Sequence, residues 1–222
     1  MRKVEYHIHV NHFEKNLPDC VGNLLSLGFN IKESSLIRND IESPLWLIAK
    51  KVENSTERDE LYKEVFSLVE GDKSFRGYIE SETVSENNVI KYDPANGFKN
   101  CSLFPINKVK FQDCVKTADI HIYRDKTNNL DALDILLEDN GFYEVRTPDK
   151  KIWTLLIKDI SSSQTLLNNL HAYFKNTGGI LELELELIKE LKIFPNSYSL
   201  PAFIKPVSFN LVGIKKRETV LN

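Results

Sequence analysis

Val4-Glu5-Tyr6-His7-Ile8-His9-Val10 opens the chain with strict alternation. Val4, Tyr6, Ile8 and Val10 fall on one side, and Glu5, His7 and His9 fall on the other. A period of two is the signature of a strand with one dry and one polar face. The pattern returns at Ala118 to Arg124, where Ala118, Ile120 and Ile122 alternate with Asp119, His121 and Tyr123. Both times an acid is followed two residues later by a histidine on the polar face. Two such strands predict two matched halves.

Outward from the first strand, Asn16-Leu17-Pro18-Asp19 reads as a helix start, with Leu17, Val21, Leu24 and Leu25 at helical spacing and Gly28 as the stop. Phe29 to Ile37 and Leu45 to Val52 read as strands. Ser55 and Thr56 offer a cap for a helix whose stripe is Leu61, Val65, Leu68 and Val69, and Gly77 to Val84 reads as a further strand. The order is βαββαβ. The second half repeats it: Leu130, Leu133, Leu136 and Leu137 precede Gly141-Phe142 as the first stripe precedes Gly28-Phe29, and Ile152-Trp153 answers Leu45-Trp46. Ser161 to Ser163 offer a cap, Leu166, Leu170, Tyr173 and Phe174 a stripe, and Gly179 to Leu187 the closing strand. An internal duplication follows, and a βαββαβ unit is the ferredoxin-like motif.

The expected fold is therefore α+β: two tandem ferredoxin-like βαββαβ repeats with antiparallel sheets, apposed or joined across a pseudo-twofold, plus short extra strands in linker and tail. The divisions are 1–84 for the first repeat, 85–116 for a linker with an extra strand at Val109 to Phe111, 117–190 for the second repeat, and 191–222 for a C-terminal segment with a further strand.

Composition sets the function classes. The 222 residues are 41% hydrophobic with a net charge of -3, and seven of the 29 basic residues are arginine. That balance argues against a nucleic-acid partner held through phosphates. Cys20, Cys101 and Cys114 form no C-x-x-C pair, which argues against a disulfide framework or a cysteine zinc site. No apolar run reaches membrane-spanning length and the N-terminus lacks a signal-peptide core, so the expectation is a soluble, cytoplasmic protein with no membrane partner and an open oligomeric state.

If first and fourth strands are neighbours, one polar face carries Glu5, His7 and His9 beside Glu80 and Glu82. The other carries Asp119, His121 and Tyr123 beside Glu182, Glu184 and Glu186. Imidazoles facing carboxylates can ligate a metal, tune an acid–base pair or form ion pairs. His7 and His121 are the candidate catalytic residues. His7, His9, Glu80, His121 and Glu182 are the candidate ligands of a divalent metal, the one cofactor expected, and the partner expected is a small-molecule ligand. The same residues read as the solvated face of a non-catalytic binding or assembly protein. His12 and His171 read as surface or helix-flank residues, and Trp46 and Trp153 as packing residues.

Tyr6-His7-Ile8-His9-Val10 followed by Pro44-Leu45-Trp46 resembles the frame of the DOPA 4,5-dioxygenase-like family, in the first half of the chain. That resemblance implies a ferredoxin-like fold and histidine-bound iron that opens catechol rings. Where the family places further histidines, this chain has Ser43 and Glu80; His7, His9 and Glu80 would still make a two-histidine, one-carboxylate iron set. One catalytic histidine per half also resembles the 2H phosphoesterases, although the residue two after each histidine is His9 or Tyr123 and not Ser or Thr. Glu182 to Glu186 is similar to the E-x-E-x-E runs of the triphosphate tunnel group, without its N-terminal E-x-E-x-K. The length and a lone histidine are similar to tandem-ferredoxin CRISPR RNA endonucleases, without their glycine-rich loop and basic balance.

Overall fold

The computed structural model describes residues 4–38, 41–85, 89–91, 117–124, 131–139, 141–148, 151–157 and 180–194. In chain order these form β1 (Val4–His12), α1 (Val21–Ser26), β2 (Asn30–Arg38), β3 (Ile41–Val52), α2 (Ser55–Glu70), β4 (Gly77–Ser85), β5 (Val89–Lys91), β6 (Thr117–Arg124), α3 (Asp131–Asp139), β7 (Tyr143–Arg146), β8 (Lys151–Ile157) and β9 (Ile180–Ile193).

The strands run in the order β4-β1-β3-β2-β7-β8-β6-β9, and β9 pairs back onto β4. The result is one closed, antiparallel barrel of eight strands, with β5 attached to the first half of β9. This corrects the expected fold class. The chain does not form two tandem ferredoxin-like repeats, and the α+β and duplicated-ferredoxin readings fall with them. Strands from both halves join at two seams, Ser35–Ile37 of β2 against Glu144–Arg146 of β7 and Tyr78–Thr83 of β4 against Leu187–Ile193 of β9. The physical reason is edge closure. An open four-stranded sheet exposes two rows of unpaired peptide groups, and joining sheets at both edges removes all four. The polar faces thereby stop facing solvent and become the wall of a lumen.

Alternation places each side chain. From β1, Ile8 and Val10 point outward into a core with Leu24, Phe29, Ile48, Leu61, Val65, Val69, Phe75 and Ile79, covered by α1 and α2. Each fully buried aliphatic there contributes about 1.5–3 kcal/mol. Helix α2 is capped by Asn54, not by Ser55 or Thr56: the Glu57 amide donates to Asn54 Oδ1 at 2.9 Å, and the Glu53 amide donates to Glu57 Oε2 at 2.9 Å. Helix α1 starts at Val21, later than the Leu17 expected, and Cys20 contributes no side-chain cap. The Cys20 amide donates instead to Asp72 Oδ2 at 2.7 Å, across from the turn after α2. Gly28 and Gly141 both end helical segments at positive φ, 83° and 89°.

Trp153 is buried and Trp46 packs on the outer core, its indole N–H donating to the Lys15 carbonyl at 3.2 Å. His12 is buried and not a surface residue. Its Nδ1 accepts from the Arg76 amide at 3.1 Å while Nε2 meets the Asn16 carbonyl at 2.9 Å, which ties the end of β1 to the turn before β4. No described helix is long and apolar enough to cross a membrane. The extra strand expected at Val109 to Phe111, the Ser161–Phe174 helix, His171 and the tail strand lie outside the described residues.

Candidate metal centre in the barrel lumen

Register decides which polar side chains meet. On β1 and β4, His7 stands opposite Glu82 and His9 opposite Glu80; on β6 and β9, Asp119 stands opposite Glu186 and His121 opposite Glu184. The β4–β9 seam brings the two ladders side by side. His7, His9, Glu80, Asp119, His121, Glu184 and Glu186 line the barrel interior, on the face opposite the buried Ile8, Val10, Ile120 and Ile122, and the fully buried Glu82, two residues on from Glu80, groups with His7 and His9.

A cavity of about 300 Å³ lies within. One pole is lined by His7, His9, Asn11, Glu80, Asp119 and His121, with Glu184, Glu186 and Tyr123 alongside. The apolar pole is a packed cluster of Phe13, Leu36, Leu45, Leu47, Val145 and Ile152. Tyr78 and Tyr143 belong to that apolar cluster and line the cavity with it. No lysine or arginine is among the described lining residues.

Distances at the polar pole are short. His9 Nδ1 lies 3.5 Å from Glu82 Oε2 and 3.9 Å from Glu80 Oε1. The His7 and His9 rings stack with centroids 5.7 Å apart, and His7 Nε2 lies 3.5 Å from Glu5 Oε2. Across the lumen, His121 Nε2 lies 3.7 Å from Asp119 Oδ2, and His121 Nδ1 lies 3.8 Å from Glu186 Oε2. Asn11 Nδ2 donates to Glu80 Oε1 at 2.9 Å, and the Tyr123 hydroxyl donates to Glu184 Oε2 at 2.9 Å. Yet Glu80 Oε2, both oxygens of Glu82, Asp119 Oδ1 and Glu186 Oε2 are buried with no hydrogen-bond partner among the described residues. Each such group costs stability until a proton or a cation reaches it.

Burial and mutual repulsion split the proton affinities. Burial pushes Glu80 well above the ordinary carboxylate range, helped by Asp119 and Glu186, and burial does the same to Glu82 beside Glu186 and Glu80. Asp119 is raised by burial despite His121, and Glu184 by burial and Glu186. Burial works to raise Glu186 too, but His121, the neighbouring Glu82 carboxyl, His9 and His7 outweigh it and hold it at about 2. His9 drops to about 4, chiefly by burial; Glu186 pulls it up, while His7 and His121 add to the fall. His121 moves the other way. Burial alone would lower it, but Glu186, Asp119 and Glu184 carry it to about 10. The same negative field would hold any cation placed there.

Three donor sets have ligand atoms within 4.8 Å of one another: His7, His9 and Glu82; His121, Glu184 and Glu186; and Glu80, Glu82 and Asp119. The barrel brings His7, His9, Glu80 and His121 to one lumen; the alternation placed each on a polar face but did not decide that the two faces meet. Glu182 is set apart: it stands opposite Tyr123 and Lys91 and is not among the lining residues. Glu82, Asp119, Glu184 and Glu186, not chosen as candidate ligands from the sequence, also fall in these donor sets. Their signal was present, since each alternates on the same face as a chosen residue, but choosing among them requires the register. No protein-family model matches this chain, and no curated protein or solved structure matches it significantly.

Proposed function

We propose that this protein is a divalent-metal-dependent enzyme acting on a small organic molecule inside the barrel. One observation carries the reading: five carboxylates and three imidazoles converge with carboxylate oxygens buried and unpartnered among the described residues, and no described lysine or arginine lines the cavity. Buried carboxylates without cations are expensive, so such a set is built for a positive ligand. His7, His9 and Glu82 make a two-histidine, one-carboxylate set, the donor type of non-haem iron(II) and similar ions. Glu82 takes the place Glu80 held in the sequence-based set, because it lies nearer His9. A bound ion would supply Lewis acidity toward a coordinated substrate oxygen.

The chain supplies the rest. The apolar pole accepts a hydrocarbon or aromatic body and excludes water, while the polar pole orients an oxygen-bearing head toward the donors. Asn11 steadies Glu80, and Tyr123 steadies Glu184. A barrel of eight strands has room for one small ligand and no more. We place the protein in the cytoplasm on its cysteine usage, with Cys20 a buried free thiol.

The test uses untagged protein stripped with EDTA, then equilibrated separately with Fe²⁺ (without air), Mn²⁺ and Zn²⁺. Elemental analysis after gel filtration is expected to find retained metal, and catechol, as a small oxygen-chelating probe, is expected to bind only to the loaded protein by calorimetry. Ala49→Trp, which fills the cavity from β3, is expected to abolish catechol binding while leaving metal retention intact. Failure to retain any of the three ions refutes the proposal.

A further inference from the structure

The lumen holds two complete donor sets, one on each side of the β4–β9 seam. His7, His9 and Glu82 come from β1 and β4; His121, Glu184 and Glu186 come from β6 and β9. They are not separate sites. Glu82 belongs also to the third set, with Glu80 and Asp119, and Asp119 Oδ2 lies 3.7 Å from His121 Nε2 in the second. Across the seam Glu82 pairs in register with Ile188 of β9, two residues from Glu186.

Both oxygens of Glu82, which is 0% exposed, lack a partner among the described residues, as does Oε2 of Glu80, which is 2% exposed and lines the cavity. A carboxylate offers lone pairs on both oxygens, and one that bridges two cations uses both. Charge points the same way. Glu80, Glu82, Asp119, Glu184 and Glu186 amount to five negative charges when ionised. One divalent ion offsets two of them; two ions offset four. In a low-dielectric interior the remainder matters, because uncompensated like charges repel strongly there.

Resting on the metal reading above, we propose that the lumen is a dinuclear site. His7, His9 and Glu82 hold one divalent ion, His121, Glu184 and Glu186 hold a second, and the carboxylates of Glu82, Glu186 and Asp119 lie between them. Such pairs sit about 3.5–4 Å apart and clamp one substrate oxygen from two sides. The substrate class narrows accordingly, to a small molecule whose anionic oxygen bridges two ions while its body fills the apolar pole.

Mn²⁺ is the probe, because its electron paramagnetic resonance separates isolated ions from coupled pairs. Full-length, untagged, metal-stripped protein is dialysed against Mn²⁺, and bound metal is counted by elemental analysis. Two Mn per chain are expected, with an exchange-coupled spectrum in place of the isolated-ion six-line pattern. His121→Ala is expected to retain one Mn with the six-line pattern restored; Glu184→Gln, a milder change at a half-buried position, is expected to do the same, and circular dichroism checks that each variant folds. Wild-type protein holding one uncoupled Mn overturns the dinuclear site and leaves the metal reading standing. Two Mn without coupling also overturns it, since the ions then share no carboxylate. No bound Mn overturns the dinuclear site, and the metal reading falls only if Fe²⁺ and Zn²⁺ are not retained either.

Discussion

Replacing Glu82 by glutamine tests the electrostatics of the lumen directly. In metal-free protein Glu82 is fully buried, its proton affinity raised by burial and by the neighbouring Glu186 and Glu80. A carboxyl whose folded pKa lies above its unfolded value of 4.5 binds more protons folded than unfolded. Stability is then greatest below the unfolded value and is lost as pH rises toward the folded one. The loss is about 1.4 kcal/mol per pH unit for one such group. From about pH 5 to about pH 7 it reaches a ceiling of about 3 kcal/mol. Glutamine keeps the shape of the side chain but has no proton to lose. Urea denaturation in EDTA at about pH 5, 6 and 7 is the assay. Wild type and Glu82→Gln should be nearly equal at the lowest pH, and the variant should become the more stable by up to about 3 kcal/mol at the highest. A stability difference that stays constant over that range, or a wild type that gains on the variant, would refute the reasoning.

Other outcomes follow from particular contacts. His9→Ala should lower Mn²⁺ retention by at least tenfold, measured by calorimetry, since it removes one of the three donors of the first set. A Cβ on Gly77 would lie 1.8 Å from the Asn11 carbonyl oxygen, so Gly77→Ala should force β4 from β1 and cost roughly 2–3 kcal/mol in urea denaturation. Asn54→Ala should cost about 1 kcal/mol by removing the α2 cap, read as a fall in melting temperature. Asp72 tests the acid limb. Burial works to raise it, but the Ser74 hydroxyl and the Cys20 and Ser74 amides hold it below its usual 3.8. Its contribution is therefore present above that value and lost as pH falls below it. The stability gap between wild type and Asp72→Asn should narrow from about pH 5 to about pH 3, and a gap that widens would count against those hydrogen bonds.

Alternation along a strand is a local property, so it was legible at once. Val4 to Val10 and Ala118 to Arg124 are strands, and His7, His9 and His121 do lie on the faces turned away from the buried aliphatics. The helix ends at Gly28 and Gly141 were equally legible, because positive φ is a single-residue demand. Where caps were chosen among neighbours the choice slipped, to Ser55 or Thr56 in place of Asn54, because adjacent polar residues compete for the same amide.

Closure was not legible. A face of Glu, His and Tyr alternating with Ile and Leu suits solvent and a wet lumen equally well, and nothing in either half announces that β2 pairs with β7 or β4 with β9. Those pairings join residues far apart in the chain, and their reward, the removal of open edges, exists only once the whole ring is formed. Register then chose the site. A strand places every second side chain on the same face, so Glu182, Glu184 and Glu186 are indistinguishable in the sequence; opposite His121 and Asp119, only Glu184 and Glu186 reach the lumen donors. The order of residues determined which side chains are polar and where they alternate; tertiary closure alone decided that they face one another, shielded from water, where charge has to be answered by charge.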